Sequence, residues 1–259
     1  MRFLTLIWVL SFMKSGDFHQ FDRGKILINK IVIDAGHGGK DPGCSGKFVK
    51  EKDVALDIAL ALGKMLSQYL DVQVIYTRTS PDQFVELKER SMIANRAQAQ
   101  LFVSIHCNSS PSKTICGSET YFMGMAASEA NMAVSMRENA SIFHESGFEE
   151  KYQGLDPNSP QTYILLSNMQ TYNIENSLKL ASMIEARLGK NTCKSRGVKQ
   201  AGFFVLARTF MPSVLVETGF LSNPDDEAIL MSEAGRAQIA ASIYRAIRDY
   251  KREAESSNN

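Results

Sequence analysis

The chain has 259 residues and a formal net charge of +1, with 44% of its residues hydrophobic and 22% charged. That length and mix fit one core-bearing domain, or one domain carrying an insertion, and seven prolines without a long polar tract argue against extensive disorder. A charge this close to zero gives no electrostatic case for nucleic acid as a partner.

In chain order, Met1-Arg2 leads into an apolar run, Phe3-Leu4-Thr5-Leu6-Ile7-Trp8-Val9-Leu10-Ser11-Phe12-Met13. The run is too short to span a bilayer but suits the core of a signal peptide behind one positive charge, although Lys14-Ser15-Gly16-Asp17 supplies no small-x-small cleavage site. Residues 1–24 therefore read as the leader and linker of an exported protein, in preference to a buried first helix or an uncleaved anchor. Residues 25–252 read as the folded domain.

Within that domain, residues 25–35 form a strand rich in β-branched side chains. Residues 51–69 form a helix, because Val54, Ile58, Leu62 and Met65/Leu66 recur at the helical interval. A strand over 71–78, a helix over 87–99, a strand over 101–106 and an edge strand over 117–124 follow. A long stretch from about 125 to 172 then breaks the rhythm. It opens helically, with Met132, Met136, Ala140 and Phe143 on one stripe, and passes through the turn formers Gly154-Leu155-Asp156-Pro157-Asn158-Ser159-Pro160. Further on come a helix over 174–188, strands over 203–207 and 213–217, a helix over 233–250 and a polar, frayed tail. Strands alternating with helices predict an α/β fold, a mainly parallel sheet covered on both faces. The 125–172 stretch reads as an insertion over that core, and loops of this length are commonly lids or regulatory segments.

The chemistry sits at strand ends. Ile31-Val32-Ile33-Asp34 leads into Gly36-His37-Gly38-Gly39, Leu101-Phe102-Val103-Ser104-Ile105 ends on His106, and Val214-Leu215-Val216 ends on Glu217. If these strands run parallel, two imidazoles and a carboxylate meet at one sheet edge, where ligands gather in such folds. Two histidines and a glutamate are a known zinc set that leaves a position for water. Glu51, at the predicted start of the first core helix, is the candidate third ligand; alone it would read as an acidic residue complementing the helix dipole. Glu217 then remains as the carboxylate beside a metal-bound water, which is what a general base needs. His19 falls in the leader, and His144 lacks the second histidine of a zincin helix. Gly36-His37-Gly38-Gly39-Lys40-Asp41 does not meet G-x-G-x-x-G, which sets a dinucleotide site aside. Cys44, Cys107, Cys116 and Cys193 show no CxxC spacing and read as small buried thiols; export would let one pair oxidise, without the sequence choosing it. Strand alternation turns Cys107 away from the face of His106.

Six segments in order resemble the zinc-dependent N-acetylmuramoyl-L-alanine amidases, the cell-wall amidases that act in cell separation. They are the run from Ile33 to Gly43, Glu51-Lys52-Asp53, Leu87-Lys88-Glu89-Arg90 with Ala94-Asn95, Ser104-Ile105-His106-Cys107-Asn108, Arg196-Gly197-Val198-Lys199-Gln200, and the run from Val216 to Pro224. The resemblance implies a twisted six-stranded mixed sheet, mostly parallel, with helices on both faces. It implies one Zn2+ on His37, Glu51 and His106, Glu217 as the catalytic carboxylate, and hydrolysis of the amide between N-acetylmuramic acid and L-alanine in peptidoglycan. Asn108, next to the second histidine, is a candidate substrate contact. Division-associated members carry, at this place, an insertion whose helix covers the zinc until an activator protein draws it away. Arg137-Glu138-Asn139-Ala140-Ser141 resembles the start of that insertion. The expectation is a lid over about 144–172, with Glu145, Glu149 or Glu150 as its ligand to the open zinc position. The competing readings are a zinc peptidase of another class and a non-catalytic wall-binding or division adaptor.

Overall fold

A computed structural model of the chain describes residues 27–126, 128–157, 159–167 and 173–256. The expected leader over 1–24 lies outside the described residues. The strands are β1 (Lys30–Ala35), β2 (Gln73–Tyr76), β3 (Leu101–Asn108), β4 (Ser118–Met123), β5 (Ser195–Ala201) and β6 (Ser213–Phe220). The helices are α1 (Glu51–Tyr69), α2 (Leu87–Arg96), α3 (Glu129–Asn139), α4 (Phe148–Lys151), α5 (Pro160–Ser167), α6 (Ile174–Leu188), α7 (Phe204–Ala207), α8 (Pro224–Met231) and α9 (Glu233–Ser256). The strands form one six-stranded mixed sheet in the order β2-β1-β3-β6-β4-β5. β2, β1, β3 and β6 are parallel, β4 runs antiparallel to β6, and β5 is parallel to β4.

The period of two along each strand sorts side chains into two layers. Ile31, Ile33, Val103, Ile105, Val214 and Val216 pack against the stripes Val54/Ile58/Leu62/Leu66 of α1, Leu180/Ile184/Leu188 of α6 and Ile239/Ile243/Ile247 of α9. Cys107 joins this layer, on the sheet face opposite His106, as alternation predicts. Val32, Phe102, Tyr121, Met123 and Leu215 face the other way, onto α7 and buried residues of α2 and the inserted stretch. Burying each large aliphatic chain contributes about 1.5–3 kcal/mol, so these two layers dominate the stability.

The second layer also holds a polar knot. Asp34 is fully buried and accepts from Arg90 Nη1 at 3.0 Å, Thr77 Oγ1 at 2.6 Å and Ser104 Oγ at 2.6 Å. Burial alone would raise the Asp34 carboxyl; the Arg90 guanidinium and the two hydroxyls outweigh it and hold the pKa below the ordinary value. Asp34→Asn leaves the Arg90 charge buried without its partner, and is expected to lower the unfolding free energy by about 3–5 kcal/mol in denaturant melts. The sign with pH follows from the lowered folded pKa. The stabilisation is complete above the unfolded value of about 3.9 and is lost as pH falls through the folded one. Wild-type melts should therefore decline more steeply than those of Asp34→Asn below about pH 4.

Three expectations need correction. Residues 203–207 are not a strand: Phe204–Ala207 forms the one-turn helix α7, and the edge strand falls earlier, at Ser195–Ala201. A short apolar run such as Phe203-Phe204-Val205-Leu206-Ala207 carries no period that separates buried helix from buried strand. β4 is not an edge strand, because β6 and β5 flank it. Cys116 and Cys193 are not free thiols but a disulfide closing a sequence separation of 77. It ties the β3–β4 connection to the α6–β5 connection and contributes about 2–4 kcal/mol in the chain-entropy account.

Candidate metal centre and catalytic edge

Because β1, β3 and β6 are parallel, their carboxyl ends share one edge. Past β1, Gly36 N donates to Ile105 O at 3.0 Å, and a Cβ at Gly36 would lie 2.4 Å from His106 Cε1, so only glycine lets the two histidine segments approach. His37 then adopts a left-handed φ of 58°, a strained conformation for a side chain of this kind. Two buried arginines hold that turn. Arg78 donates to Ala35 O at 3.0 Å and Gly36 O at 2.7 Å, and Arg90 donates to Ala35 O and His37 O, both at 2.7 Å. Arg90 falls in the Leu87–Arg90 segment and Arg78 in the strand expected over 71–78, but a buried guanidinium that braces another loop carries no signal in its own segment.

Glu51 opens α1 and is fully buried. Its Oε2 accepts from Cys44 N at 2.8 Å and its Oε1 from Cys107 N at 3.0 Å, which fixes the carboxylate between the two histidine loops. Glu51 Oε1 lies 3.1 Å from His37 Nε2 and 3.0 Å from His106 Nδ1. Glu138 Oε2, from the last turn of α3, lies 3.1 Å and 3.0 Å from the same two nitrogens. Among the described residues, His37 Nε2 and Glu138 Oε2 are buried yet make no hydrogen bond, and they converge with the ligand atoms of Glu51 and His106. Donors about 2.0–2.2 Å from one tetrahedral ion stand roughly 3.3 Å apart, so these four residues fit zinc. On its far side His37 Nδ1 meets Asp41 Oδ2 at 2.8 Å, the carboxylate–histidine contact that leaves Nε2 free to ligate.

The electrostatics agree. Burial lowers the pKa of His37, but Glu51, Asp41 and Glu138 outweigh it and leave it well above the ordinary value. His106 is likewise lifted to about 9, chiefly by Glu138 and Glu51 against its own burial. Glu138 falls to about 2, because the two imidazoles overcome burial and Glu51.

The residues expected to cap the metal lie elsewhere. Glu145 Oε1 accepts from Leu87 N at 2.8 Å and from Tyr152 OH at 3.1 Å, which ties it to the start of α2. Glu149 and Glu150 are exposed on α4. Glu138 takes the position instead, because α3 turns Asn131, Val134, Ser135 and Glu138 inward, not the methionine stripe. α3 is latched on both sides of Glu138. Arg137 donates to Asn108 Oδ1 at 2.8 Å and Ser109 O at 3.1 Å, Asn139 bonds Gly202 O and Phe204 N, and Ser141 Oγ bonds Asp41 Oδ2.

Glu217 faces His106 across the β3–β6 ladder and Glu119 across the β6–β4 ladder. It is fully buried, and among the described residues neither carboxylate oxygen has a hydrogen-bond partner. Burial, then the Glu138 and Glu51 charges, raises its pKa well above the ordinary value. Asn108 is engaged at both ends, accepting from Arg137 and donating to Glu119 Oε2 at 3.2 Å. Glu119 also accepts from Arg196 Nε at 2.5 Å, Lys199 Nζ at 2.6 Å and Tyr121 OH at 2.7 Å, so the motif around Arg196 braces this end of the sheet.

A family model described as N-acetylmuramoyl-L-alanine amidase matches residues 31–249. The chain is 34% identical over 224 residues to N-acetylmuramoyl-L-alanine amidase AmiC of Escherichia coli O6:H1, covering 85% of this chain and 52% of that relative. It is 33% identical over 242 residues to N-acetylmuramoyl-L-alanine amidase AmiA of Escherichia coli K12, covering 92% and 82%. The chain thus spans about half the length of the first relative and most of the second. Among solved structures, AmiC2 of Nostoc punctiforme superposes with a TM-score of 0.62 at 32% identity, covering 86% of this chain and 96% of that one. The amidase from Clostridium difficile 630 superposes with a TM-score of 0.64 at 28% identity, with the same coverage.

Proposed function

The chain belongs to the N-acetylmuramoyl-L-alanine amidase family, and from that premise we propose that it is an exported, zinc-dependent amidase described in its shut state. Its reaction is hydrolysis of the amide joining the lactyl group of N-acetylmuramic acid to L-alanine in peptidoglycan, in the service of cell separation. The observation that carries the zinc reading is the convergence of His37 Nε2, Glu51 Oε1, His106 Nδ1 and Glu138 Oε2 on one buried point.

His37, Glu51 and His106 would hold the ion, and Asp41, at 2.8 Å from His37 Nδ1, would keep His37 in the ligating tautomer. Bound there, zinc supplies Lewis acidity toward the lactyl carbonyl and lowers the pKa of an attacking water toward ~7. Glu217 takes the proton of that water at a carboxylate oxygen and returns it to the leaving alanyl nitrogen. Departure of Arg137 would leave Asn108 Oδ1, which also accepts from Ser109 N at 2.7 Å, with a lone pair for substrate. Glu138 would fill the position that water needs, so α3, upstream of the expected 144–172 lid, is the shutter of this site. A partner protein that draws α3 away would open it. A related amidase, CwlD from Clostridioides difficile, is solved in complex with the GerS lipoprotein.

The test is to incubate zinc-loaded protein, with α3 loosened by Arg137→Ala, with purified peptidoglycan and to identify the products by mass. Intact stem peptides beginning at L-alanine, absent after chelation and restored by zinc, are expected. New peptide N-termini without such release would support a zinc peptidase instead.

A further inference from the structure

A second concavity opens beside the metal centre, outside the reach of α3. It is a groove of about 650 Å³, lined by the 45–48 loop, by Ser110, Pro111 and Lys113, and by Leu221 and α8. The groove continues the site from both sides. Gly43 and Cys44 adjoin the metal ligands and lead directly into Ser45–Phe48, and Asn108 leads into Ser110. Among the described residues, none of the 125–172 stretch lines it.

Its walls are built rigidly. Phe48 N donates to Glu227 Oε1 at 2.7 Å, Ser45 and Lys50 form a β-bridge, and a Cβ on Gly46 would lie 2.2 Å from Glu227 Oε1. Opposite, Ser110 N donates to Ser222 Oγ at 2.9 Å and Asn223 Nδ2 to Lys113 O at 2.8 Å. Glu227 is buried, and its carboxylate is engaged in pinning the Phe48 backbone. What the walls present is therefore apolar and cationic. Phe48 is 65% exposed and Met231 40%, against all expectation for side chains that had only to fill a core. Lys47 and Lys113 are exposed, and among the described residues neither ammonium is in an ion pair; Lys47 instead lies over the Phe48 ring at 4.9 Å. The volume is that of a small-molecule or short-peptide site.

We propose that this groove binds the acidic peptide arm of peptidoglycan, with Lys47 and Lys113 taking its carboxylates and Phe48 its aliphatic stem. The assignment rests on the amidase reading above, which puts the scissile amide at the metal and so sends the peptide out along one wall of the site. Two free ammoniums flanking an apolar floor complement an anionic peptide and offer little to a neutral sugar. Since α3 does not cover the groove, the shut protein already holds the peptide arm, and opening α3 then exposes the metal to a substrate in place.

The probe is the soluble tetrapeptide L-Ala–γ-D-Glu–meso-diaminopimelate–D-Ala, titrated by calorimetry and NMR into the full chain carrying Glu217→Gln, with α3 shut. Saturable binding is expected, falling as ionic strength rises. Lys47→Glu with Lys113→Glu should weaken it at least ~10-fold, the value that a change in two close charge pairs commonly gives; Phe48→Ala should weaken it less and leave the salt dependence intact. All three positions are exposed, so the fold is not at stake. Peptide binding that ignores the charge reversal, absence of binding to the shut protein, or equal binding of the peptide-free disaccharide with shifts in the same residues would each overturn the proposal. Peptide binding lost on charge reversal, in a protein that releases no stem peptide when zinc-loaded and open, would retain the groove and reject the amidase reading.

Discussion

Glu217→Gln is expected to keep metal binding at the His37–Glu51–His106 cluster and to abolish the proposed hydrolysis. The expected loss is about 10²–10⁴-fold in kcat, the range for a positioned general base, with zinc stoichiometry and peptide affinity unchanged. The argument is one of position. Glu217 stands across the ladder from His106 but outside the four residues, His37, Glu51, His106 and Glu138, whose ligand atoms converge. A glutamate buried with two unpartnered oxygens is costly to keep and needs a reason. The amide of the variant preserves shape and hydrogen-bonding capacity, so only the ability to carry a proton is lost. It also relieves the crowding of three carboxylates, so the folded protein should melt no lower than wild type. The measurements are stem-peptide release by mass, bound zinc by elemental analysis and a thermal melt. Loss of zinc along with activity would instead make Glu217 a ligand, and unaltered turnover would remove it from the mechanism.

How much of this was open to sequence depends on whether a residue's role is set by its own segment or by another. His37, His106 and Glu217 each follow a continuous apolar run, and β1, β3 and β6 are parallel, so counting to the end of each strand brings them to one edge. Glu51 could be named because it begins a helix whose stripe is unambiguous. α3 misled for a physical reason. Hydrophobic periodicity identifies the inward face only when that face meets a core. α3 lies over a polar edge, so its buried side carries Asn131, Ser135 and Glu138 while Phe143, just beyond, is 48% exposed. The pairing of Cys116 with Cys193, and the braces from Arg78, Arg90 and Glu119, are tertiary facts. Each joins segments whose proximity only the sheet order creates, with β4 inserted between β6 and β5.

The shutter gives the other large effect. Glu138→Ala should raise stem-peptide release from purified peptidoglycan by at least about 10-fold, since a competent state populated a tenth of the time or less gains that much when its competitor is removed. Three ligands remain, and Glu51 is fixed by two backbone amides independent of α3, so zinc should stay bound. Arg137→Ala should act in the same direction by a different route, loosening the hold of α3 on Asn108 and Ser109 and removing the Arg137 Nε bond to Glu138 Oε1 at 3.2 Å while keeping the Glu138 side chain. Removal of residues 146–166 spares α3, Glu138 and the Arg137 latch, so it should open the site less than the single substitution does. This ordering separates a plug from a scaffold. If Glu138 were part of the working site, its loss would lower turnover at full zinc occupancy; if the plug resided in α4 or α5, the deletion would exceed Glu138→Ala. The position of one carboxylate, 3.0–3.1 Å from both imidazoles, predicts the reverse of both.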